Sequence, residues 1–459
     1  MSKAKLVRDK EFYKLLFMIA IPIAMQNFIS FLIQMLDTIM LGQLGDVAIS
    51  ASSLANQPFF IFTMVTFGIG GGASVLTAQY WGKGEIQPIR TIITIVLRIS
   101  MLIGVLFAIT IIAFPETIMK IYTTDVDVIK NGVDYLRIIG YSYFFYAISN
   151  TFYTVMRSVE CVKIAVISNI FSLCCNATLN YIFIFGKLGF EAMGVKGAAL
   201  ATLITRILEC GIAVIYALAF DKKVKLRIRH FFKFDKLLFS DVLKYSTPVV
   251  ANEVMWSLGI SLQSVILGRL GTGVVAANTI VGVVQNLATV MVFGVASAAA
   301  VIIGKAIGEG DLKKARDRGF TLKIISVVLG IFVCISILLV KDVAIDFYKV
   351  ADETKEIARQ LMSVLAFIGI FISIAAISIV GILRGGGDAK FAFWSEAMAL
   401  WGVGVPLALL SAFVFKLPVA VVFLCMKIDE PVKVIMCMAR LKGVNWIKIV
   451  TRDDVIIDE

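Results

Sequence analysis

Apolar stretches of about 20 to 30 residues run along most of this chain, and a helix of that length crosses a lipid bilayer. Lipid offers the backbone no hydrogen-bond partner, so each stretch must form a helix or belong to a closed barrel. Barrel strands alternate apolar and polar residues over about ten positions, and these stretches do not. With 59% hydrophobic and 17% charged residues, the chain is too apolar for a soluble protein of 459 residues. The sequence therefore predicts an all-α polytopic membrane protein.

We predict twelve transmembrane helices from the positions of these stretches. The first is too long for a secretory signal and is expected to stay in the mature protein. The twelve predicted spans are 14–42, 52–80, 90–114, 131–156, 163–186, 195–220, 238–268, 275–305, 319–340, 357–383, 391–415 and 418–438.

The two halves of the chain repeat one another. The motif LGQLG at 41–45 returns as LGRLG at 267–271, and the same offset of 226 residues matches Pro22 to Pro248. From Pro22 to Gly84, 15 of the 63 aligned positions are identical. Each repeat holds six spans, an even number, so both repeats enter the membrane from the same side. This predicts two parallel six-helix bundles related by a pseudo-twofold axis along the membrane normal.

Basic residues are concentrated in alternate loops, most densely in DKKVKLRIRHFFKFDK at 221–236, whereas acids occur in intervening loops such as 123–127 and 351–356. This positive-inside pattern predicts that both termini are cytoplasmic and that the protein lies in the cytoplasmic (inner) membrane. It also accounts for the net charge of +12 without a nucleic-acid partner. The predicted domains are an N-terminal six-helix lobe at 1–220, a cytoplasmic basic linker at 221–237, and a C-terminal six-helix lobe with a cytoplasmic tail at 238–459.

Two facing bundles favour a monomeric carrier that alternates access to a central cleft, because channels are more often symmetric oligomers around one pore. Pro22 and Pro248 lie inside the first helix of each lobe, where proline removes a backbone hydrogen bond. Each is interpreted as a hinge or as a static kink.

His230, the only histidine, lies in the basic linker and is expected to be solvated. The seven cysteines suggest neither disulfides nor a zinc site.

One group of polar residues falls at a single depth of the N-terminal lobe. At 1.5 Å per residue, Asp37, Asn180, Asn176 and Thr202 all lie roughly 8 to 15 Å below the outer ends of their helices. Such an oxygen-rich layer could bind Na⁺, or relay a proton through Asp37. The alternative is that the amides and the hydroxyl only bridge neighbouring helices.

Glu253 is the deepest predicted acid, near the middle of the seventh span. It is interpreted as a protonatable or cation-attracting group of the cleft, or as a neutral carboxyl group hydrogen-bonded within its lobe. The repeat aligns it with Asn27 and aligns Asp37 with Gln263, so the lobes differ in the depth of their acids. We place Glu253, Asn27 and Gln263 at the substrate cavity. Two further expectations concern the other acids of the spans. Arg206 and Glu209 are expected to satisfy one another, and Glu396, Asp429 and Glu430 are expected either to lie toward the cytoplasmic ends of their helices or to pair with Lys390 or Lys427.

The ordered motifs resemble those of the MATE family of multidrug and toxic compound extrusion transporters, in its prokaryotic form within the MOP superfamily. The resemblance covers nearly the whole chain. It rests on IPIAMQNFISFLIQMLDTIMLGQLG (21–45), GASVLTAQYWGKGE (72–85), NATLNYIFIFG (176–186), GVKGAALAT (194–202) and LRGGGD (383–388).

The resemblance implies a V-shaped central cavity and export of organic, often cationic or amphipathic compounds in exchange for Na⁺ or H⁺. It implies a cation site, which is a metal site if Na⁺ is the coupling ion, at Asp37, Asn176, Asn180 and Thr202. Some relatives carry an acid where Asn180 stands, and some carry one on the tenth helix, where this chain has none. No other cofactor is expected.

Three other functions are alternatives to this one: a channel, a flippase and a membrane enzyme. A channel would carry currents with a defined reversal potential and no counter-ion flux. A flippase for lipid-linked saccharides would need more cavity cations for phosphate, and Arg206 is the one deep candidate in the sequence. A membrane enzyme would need a compact catalytic motif, and none is present, so no enzymatic activity is expected.

Overall fold

The computed structural model describes residues 4–348 and 350–452, and within these ranges the chain is helical with no β-strand. The last seven residues of the predicted cytoplasmic tail lie outside the described residues. The helices of the first repeat are α1 (Lys10–Gly42), α2 (Asp46–Ala55), α3 (Gln57–Lys83), α4 (Ile86–Ala113), α5 (Pro115–Tyr122), α6 (Val126–Ile139), α7 (Ser142–Ser158), α8 (Lys163–Phe185) and α9 (Val195–Ile215).

The second repeat is more irregular near its end, where short π-helical turns interrupt the α-helices. Its helices are α10 (Lys236–Gly268), α11 (Thr272–Gly308), α12 (Leu312–Asp346), α13 (Asp352–Ala376), α14 (Ala389–Ala399), α15 (Val405–Leu409), α16 (Val419–Met426) and α17 (Asp429–Lys442). The π-helical turns are Ile377–Leu383, Leu400–Gly404 and Leu410–Val414, with one more at Tyr216–Phe220 in the first repeat.

Ten of the twelve predicted spans correspond to helices of the described chain that are long and apolar enough to cross a membrane. The other two predicted spans, at 131–156 and 418–438, are each split into a pair of helices. The first is interrupted at Gly140 between α6 and α7, and the second at Lys427 between α16 and α17. In the most apolar stretch of α12, only 22% of the residues are buried within the protein. The remaining apolar residues of this helix therefore face lipid.

The chain divides into two compact units, and the first helix of each repeat contributes to both of them. Of the described residues, one unit contains 4–24, the segment Ala78–Gly84 and 251–452. The other contains Met25–Thr77 and Glu85–Val250. We call them the C-terminal unit and the N-terminal unit. The chain therefore passes between units two residues after Pro22 in α1, and again two residues after Pro248 in α10.

Repeat-related glycines mark the close helix crossings. In the N-terminal unit, a Cβ at Gly68 would lie 2.6 Å from the Val250 Cα of α10. In the C-terminal unit, a Cβ at its repeat mate Gly294 would lie 2.6 Å from the Ala20 carbonyl oxygen of α1. Each half thus packs the same glycine against the first helix of the other repeat, because only a residue without a side chain permits this backbone approach.

A second crossing joins the ends of α3 and α11 inside the C-terminal unit. A Cβ at Gly82 would lie 2.2 Å from the Lys305 carbonyl oxygen, and a Cβ at Gly308 would lie 1.9 Å from the Gln79 carbonyl oxygen. These two glycines are repeat mates, and each packs against the other's helix. Gln79 also ties this crossing to the C-terminal segment, since its side-chain amide donates to the Lys448 carbonyl and accepts from the Val450 amide.

The basic linker is hydrogen-bonded to α4. The side chain of Arg90 donates to the Val224 carbonyl at 2.7 Å, and that of Arg98 donates to the Lys233 carbonyl at 3.0 Å. The expectation of a solvated His230 is wrong, since this side chain is 3% exposed and its Nδ1 accepts from the Arg227 amide at 3.0 Å. Burial, reinforced by the charges of nearby Arg90, lowers the pKa of His230.

The Gly308 crossing can be tested by adding one carbon. We expect Gly308→Ala to lower the apparent melting temperature in detergent, because the new Cβ overlaps the Gln79 carbonyl and overpacking costs about 1 to 3 kcal/mol. Gly282→Ala in the same helix is the matched control, because a Cβ there meets nothing within 4 Å. Equal melting temperatures for the two variants would contradict the packing described here.

The buried His230 predicts a pH dependence of stability. A lowered pKa means that the unfolded chain binds the proton more tightly, so this residue's contribution to stability is present above the ordinary histidine pKa and is lost as the pH falls below it. Between about pH 8 and about pH 5.5, we expect the melting temperature of the wild type to fall further than that of His230→Asn. Asparagine keeps an acceptor for the Arg227 amide but does not titrate. Identical falls would contradict the prediction.

Candidate functional site

The four residues predicted to share one depth of the N-terminal lobe lie together in the structure. Asp37 stands near the end of α1, Asn176 and Asn180 are one turn apart on α8, and Thr202 is on α9. Asn176 and Asn180 are 1% and 0% exposed, whereas Asp37 and Thr202 are half-buried. Helical spacing aligns the two asparagines on one face of α8, and the packing of three helices adds the other two residues.

One chain of hydrogen bonds joins all four side chains. The Asn180 amide donates to Asp37 Oδ1 at 2.5 Å and to Asn176 Oδ1 at 3.0 Å, and the Asn176 amide donates to Thr202 Oγ1 at 3.4 Å. Every link joins polar groups that would otherwise be costly to bury among apolar helices. We call these residues the Asp37 cluster.

The Asp37 cluster retains unused acceptor capacity. Asn180 Oδ1 is buried and has no hydrogen-bond partner, although its amide nitrogen donates twice. A carboxylate, two amide oxygens and a hydroxyl are hard oxygen ligands that suit Na⁺, and the carboxylate alone suits a proton. Among the described residues no three His, Cys, Asp or Glu side chains converge as a metal site, so the donor set does not resemble a transition-metal centre.

Aromatic rings and a neutralised arginine lie beside this cluster. Arg206 Nη1 is 2.7 Å from Glu209 Oε2, which confirms the predicted pairing of these residues. The guanidinium also stacks 4.8 Å from the Tyr146 ring and 5.9 Å from the Phe59 ring. Arg206 interacts electrostatically with Asp37 as well. A positive charge is therefore already present near the carboxylate and satisfied mainly by Glu209.

A second polar group in the N-terminal unit escaped the sequence analysis. Gln26 Oε1 accepts from Arg157 Nη2 at 3.2 Å, and the Asn169 amide donates to the Gln26 carbonyl at 3.3 Å and to Ser30 Oγ at 3.4 Å. Gln26 and Ser30 are one turn apart on α1. That spacing was a visible signal, but it carries no charge and so did not stand out against the apolar background.

The residues predicted at the substrate cavity lie in different surroundings. Asn27 is exposed. Glu253 is 8% exposed, and its Oε1 lies 2.6 Å from Arg384 Nη1. The side-chain amide of Gln263 donates to the Met426 carbonyl and accepts from Lys427 Nζ at 3.2 Å. Glu253 and Gln263 are thus both partnered within the C-terminal unit.

Arg384 is a buried residue that sequence reasoning placed in a loop. It follows the π-helical turn Ile377–Leu383 and is 5% exposed. The available signal was the repeat, because LRGGGDAK aligns Arg384 with Arg157, and each arginine contacts the first helix of its own repeat. Three other acids also differ from expectation. Glu396, Asp429 and Glu430 form their ion pairs with Lys433, which was not foreseen, although Lys427 also interacts electrostatically with Asp429 and Glu430.

Comparisons with known proteins cover most of the chain. The MatE family model matches residues 22–182 and 248–410, and these segments begin at the repeat-related prolines Pro22 and Pro248. The probable multidrug resistance protein YoeA of Bacillus subtilis is 25% identical over 409 residues, covering 87% of each chain. The probable multidrug resistance protein NorM of Thermotoga maritima is 24% identical over 411 residues, covering 89% of this chain and 87% of its own.

Solved structures share the fold at low sequence identity. A MATE protein in complex with MaL6 superposes with a TM-score of 0.86 at 18% identity, covering 95% of this chain and 97% of that one. A MOP superfamily transporter from Pyrococcus furiosus superposes with a TM-score of 0.86 at 18% identity, covering 96% and 99%. The split helices thus belong to a known twelve-helix membrane fold. The chain is a multi-pass membrane protein that belongs to the MatE family, the multidrug and toxic compound extrusion transporters.

Proposed function

We propose that this protein is a secondary antiporter that exports organic cationic or amphipathic compounds by alternating access, in exchange for Na⁺ or H⁺. The observation that carries the proposal is the Asp37 cluster, where one carboxylate, two buried amides and a hydroxyl form a single hydrogen-bonded chain. The positive-inside pattern supports an inner-membrane location with both termini in the cytoplasm.

In this proposal the coupling ion competes with the Asn180 amide for Asp37. A Na⁺ ion would take oxygens from Asp37, Asn176, Asn180 and Thr202, and the unpartnered Asn180 Oδ1 supports this. A proton would instead neutralise Asp37 and weaken its charge-assisted bond to Asn180. Either ion changes how α1 is held to α8. Because a ligand shifts a conformational equilibrium only by differential affinity, this change of contacts is what couples ion binding to transport.

Pro22 and Pro248 are proposed as hinges in α1 and α10. Their position supports this, since each precedes by two residues the point where its helix passes from one compact unit to the other. Proline removes a backbone hydrogen bond there and lowers the resistance of the helix to bending. Related MATE structures are described in a bent and in a straight conformation.

The substrate cavity is proposed to include Asn27, Glu253 and Gln263. Asn27 offers an exposed amide. Glu253 is paired with Arg384, so a cationic compound would have to compete with this arginine rather than meet a free carboxylate. Such competition favours weakly hydrated organic cations over small ions, because the site already compensates the charge.

Export of lipid-linked saccharides is the alternative function. The structure adds Arg384 and Lys433 to the buried cations, which is more than the single candidate that the sequence suggested. However, Arg206, Arg384 and Lys433 each contact at least one carboxylate, which makes them poor phosphate ligands. Arg157 is different, since it contacts the amide of Gln26. Three of these four cations are therefore already paired with acids, which favours the drug antiporter.

The coupling role of Asp37 is tested by ethidium efflux from reconstituted vesicles, with a Na⁺ gradient and a pH gradient imposed separately. We expect one gradient to drive efflux in the wild type, and Asp37→Asn to reduce it to the level of empty vesicles, because the variant loses the only charge of the cluster. Glu191→Gln, at an exposed acid between α8 and α9, is the control and keeps full efflux. Efflux retained by Asp37→Asn would exclude the coupling role, and no efflux under either gradient would favour the lipid-linked substrate.

The hinges are tested by replacing their prolines. Proline inside a helix costs about 3 kcal/mol, so we expect Pro22→Ala to keep or raise the melting temperature. If the bend is part of the transport cycle, the same variant slows ethidium efflux several-fold while still inserting in the membrane. Pro58→Ala, at the start of α3, is the control because proline in a first turn removes no helical bond. Unchanged efflux in Pro22→Ala would identify a static kink.

A further inference from the structure

Lys433 in α17 is the centre of a buried ionic cluster in the C-terminal unit. Its Nζ lies 2.8 Å from Asp429 Oδ2, 3.0 Å from Glu430 Oε1 and 3.1 Å from Glu396 Oε1. The Lys433 side chain is 2% exposed, so one ammonium group faces three carboxyl groups away from solvent. We call these four residues the Lys433 cluster.

Two buried acceptors beside this lysine have no donor. The Asn252 amide donates to Glu396 Oε2 at 3.0 Å, which places the head of Asn252 in the cluster, yet Asn252 Oδ1 has no hydrogen-bond partner. Asp429 Oδ1 is likewise unpartnered. Asn252 and Asp429 are 2% and 3% exposed, so water does not readily satisfy them. The site therefore has more hydrogen-bond acceptors than donors.

Counting the surrounding charges gives the same result. Glu253 is balanced by Arg384, and Lys427, which adjoins the cluster, interacts with Asp429 and Glu430. With these neighbours included, four carboxyl groups face three cations, which leaves one negative charge in excess. An uncompensated charge inside a protein is expensive, and a carboxyl group meets that cost by taking up a proton.

The other titratable groups nearby do not change this count. The Cys437 thiol is hydrogen-bonded to Ser395, and an ordinary cysteine thiol carries no charge at neutral pH. Lys323 of α12 lines a cavity with Val434 and Met438 of α17 rather than with the residues of the cluster. Asp388 is paired separately with Arg440 and Lys448.

We propose that the Lys433 cluster is a proton-binding site, in which Glu396, Asp429 and Glu430 share one proton. The shared proton supplies the donor that the unpartnered acceptors need and brings the surrounding network to neutrality. It is separate from the Asp37 cluster, which belongs to the other unit.

The position of this site gives the proton a structural effect. The cluster joins three helices, through Asn252 on α10, Glu396 on α14 and Lys433 on α17. The π-helical turn Leu400–Gly404 packs directly on it, since a Cβ at Gly404 would lie 3.1 Å from the Asp429 Cβ. Release of the proton would leave an uncompensated negative charge between these helices and weaken their packing. The packing of the C-terminal unit would then depend on pH, independently of the effect predicted for His230.

Infrared spectroscopy of the purified protein in lipid tests this without any transport substrate, so the outcome does not depend on the proposed function. A protonated carboxyl group has a C=O stretching band that shifts in D₂O. At neutral pH we expect this band in the wild type. In Glu430→Gln we expect the band intensity to fall by the amount of one carboxyl group, because removal of one acid leaves the network neutral without a proton. Lys433→Met should instead increase the band about twofold, since the excess charge then rises to two.

Matched variants keep the result interpretable. Glu396→Gln and Asp429→Asn make the same charge change, so a variant that fails to fold can be replaced by either of them. Glu356→Gln, at an exposed acid on α13, and Asp37→Asn should leave the band of the cluster in place. An unchanged band in all three cluster variants would overturn the proposal. A band present in choline chloride but absent in sodium chloride would also overturn it, by assigning the site to Na⁺.

Discussion

Lipid supplies no hydrogen-bond partner to a polypeptide, and the rest of this structure follows from how the chain meets that constraint. Backbone groups are satisfied within helices, so apolar attraction contributes little to holding one helix against another in the membrane. Close backbone contact takes its place. The glycine crossings at Gly68, Gly294, Gly82 and Gly308 are where such contact occurs, and each belongs to a repeat-related pair. The duplication therefore preserved the packing positions of the fold.

The same constraint decides where polar side chains can lie. In the described chain they gather in groups that satisfy one another inside one compact unit. The Asp37 cluster is held by amides, the Arg206 and Glu209 pair by aromatic rings, and the Lys433 cluster by opposite charges. Six buried side-chain oxygens of the described chain have no hydrogen-bond partner, and three of them, on Asn180, Asn252 and Asp429, lie in these groups. Incomplete hydrogen bonding beside a carboxyl group is the reason why we propose ion binding at the Asp37 and Lys433 clusters.

The two repeats share geometry and differ in chemistry. Arg157 and Arg384 occupy matching positions and both contact the first helix of their own repeat, but one meets the amide of Gln26 and the other the carboxylate of Glu253. Conversely, the aspartate of the N-terminal lobe aligns with Gln263, which binds Lys427. In the antiport that we propose, two ligands must bias one equilibrium differently, and lobes that have diverged in charge meet that need better than identical ones.

Most of the fold was determined by the sequence alone, because span length, loop charge and the internal repeat are local properties of the chain. The Asp37 cluster was also predictable, since depth along a helix follows from residue number and four polar residues at one depth have few other partners. The Lys433 cluster was not. Lys433 lies three and four residues after Glu430 and Asp429 on α17, a spacing that is visible in the sequence, but Glu396 comes from α14. Because π turns and the break at Lys427 lie between these helices, residue spacing does not predict which of their faces meet. Which carboxyl group meets which cation there, and the burial of Arg384 and His230, depended on contacts between segments far apart in the chain, and only the tertiary structure could decide them.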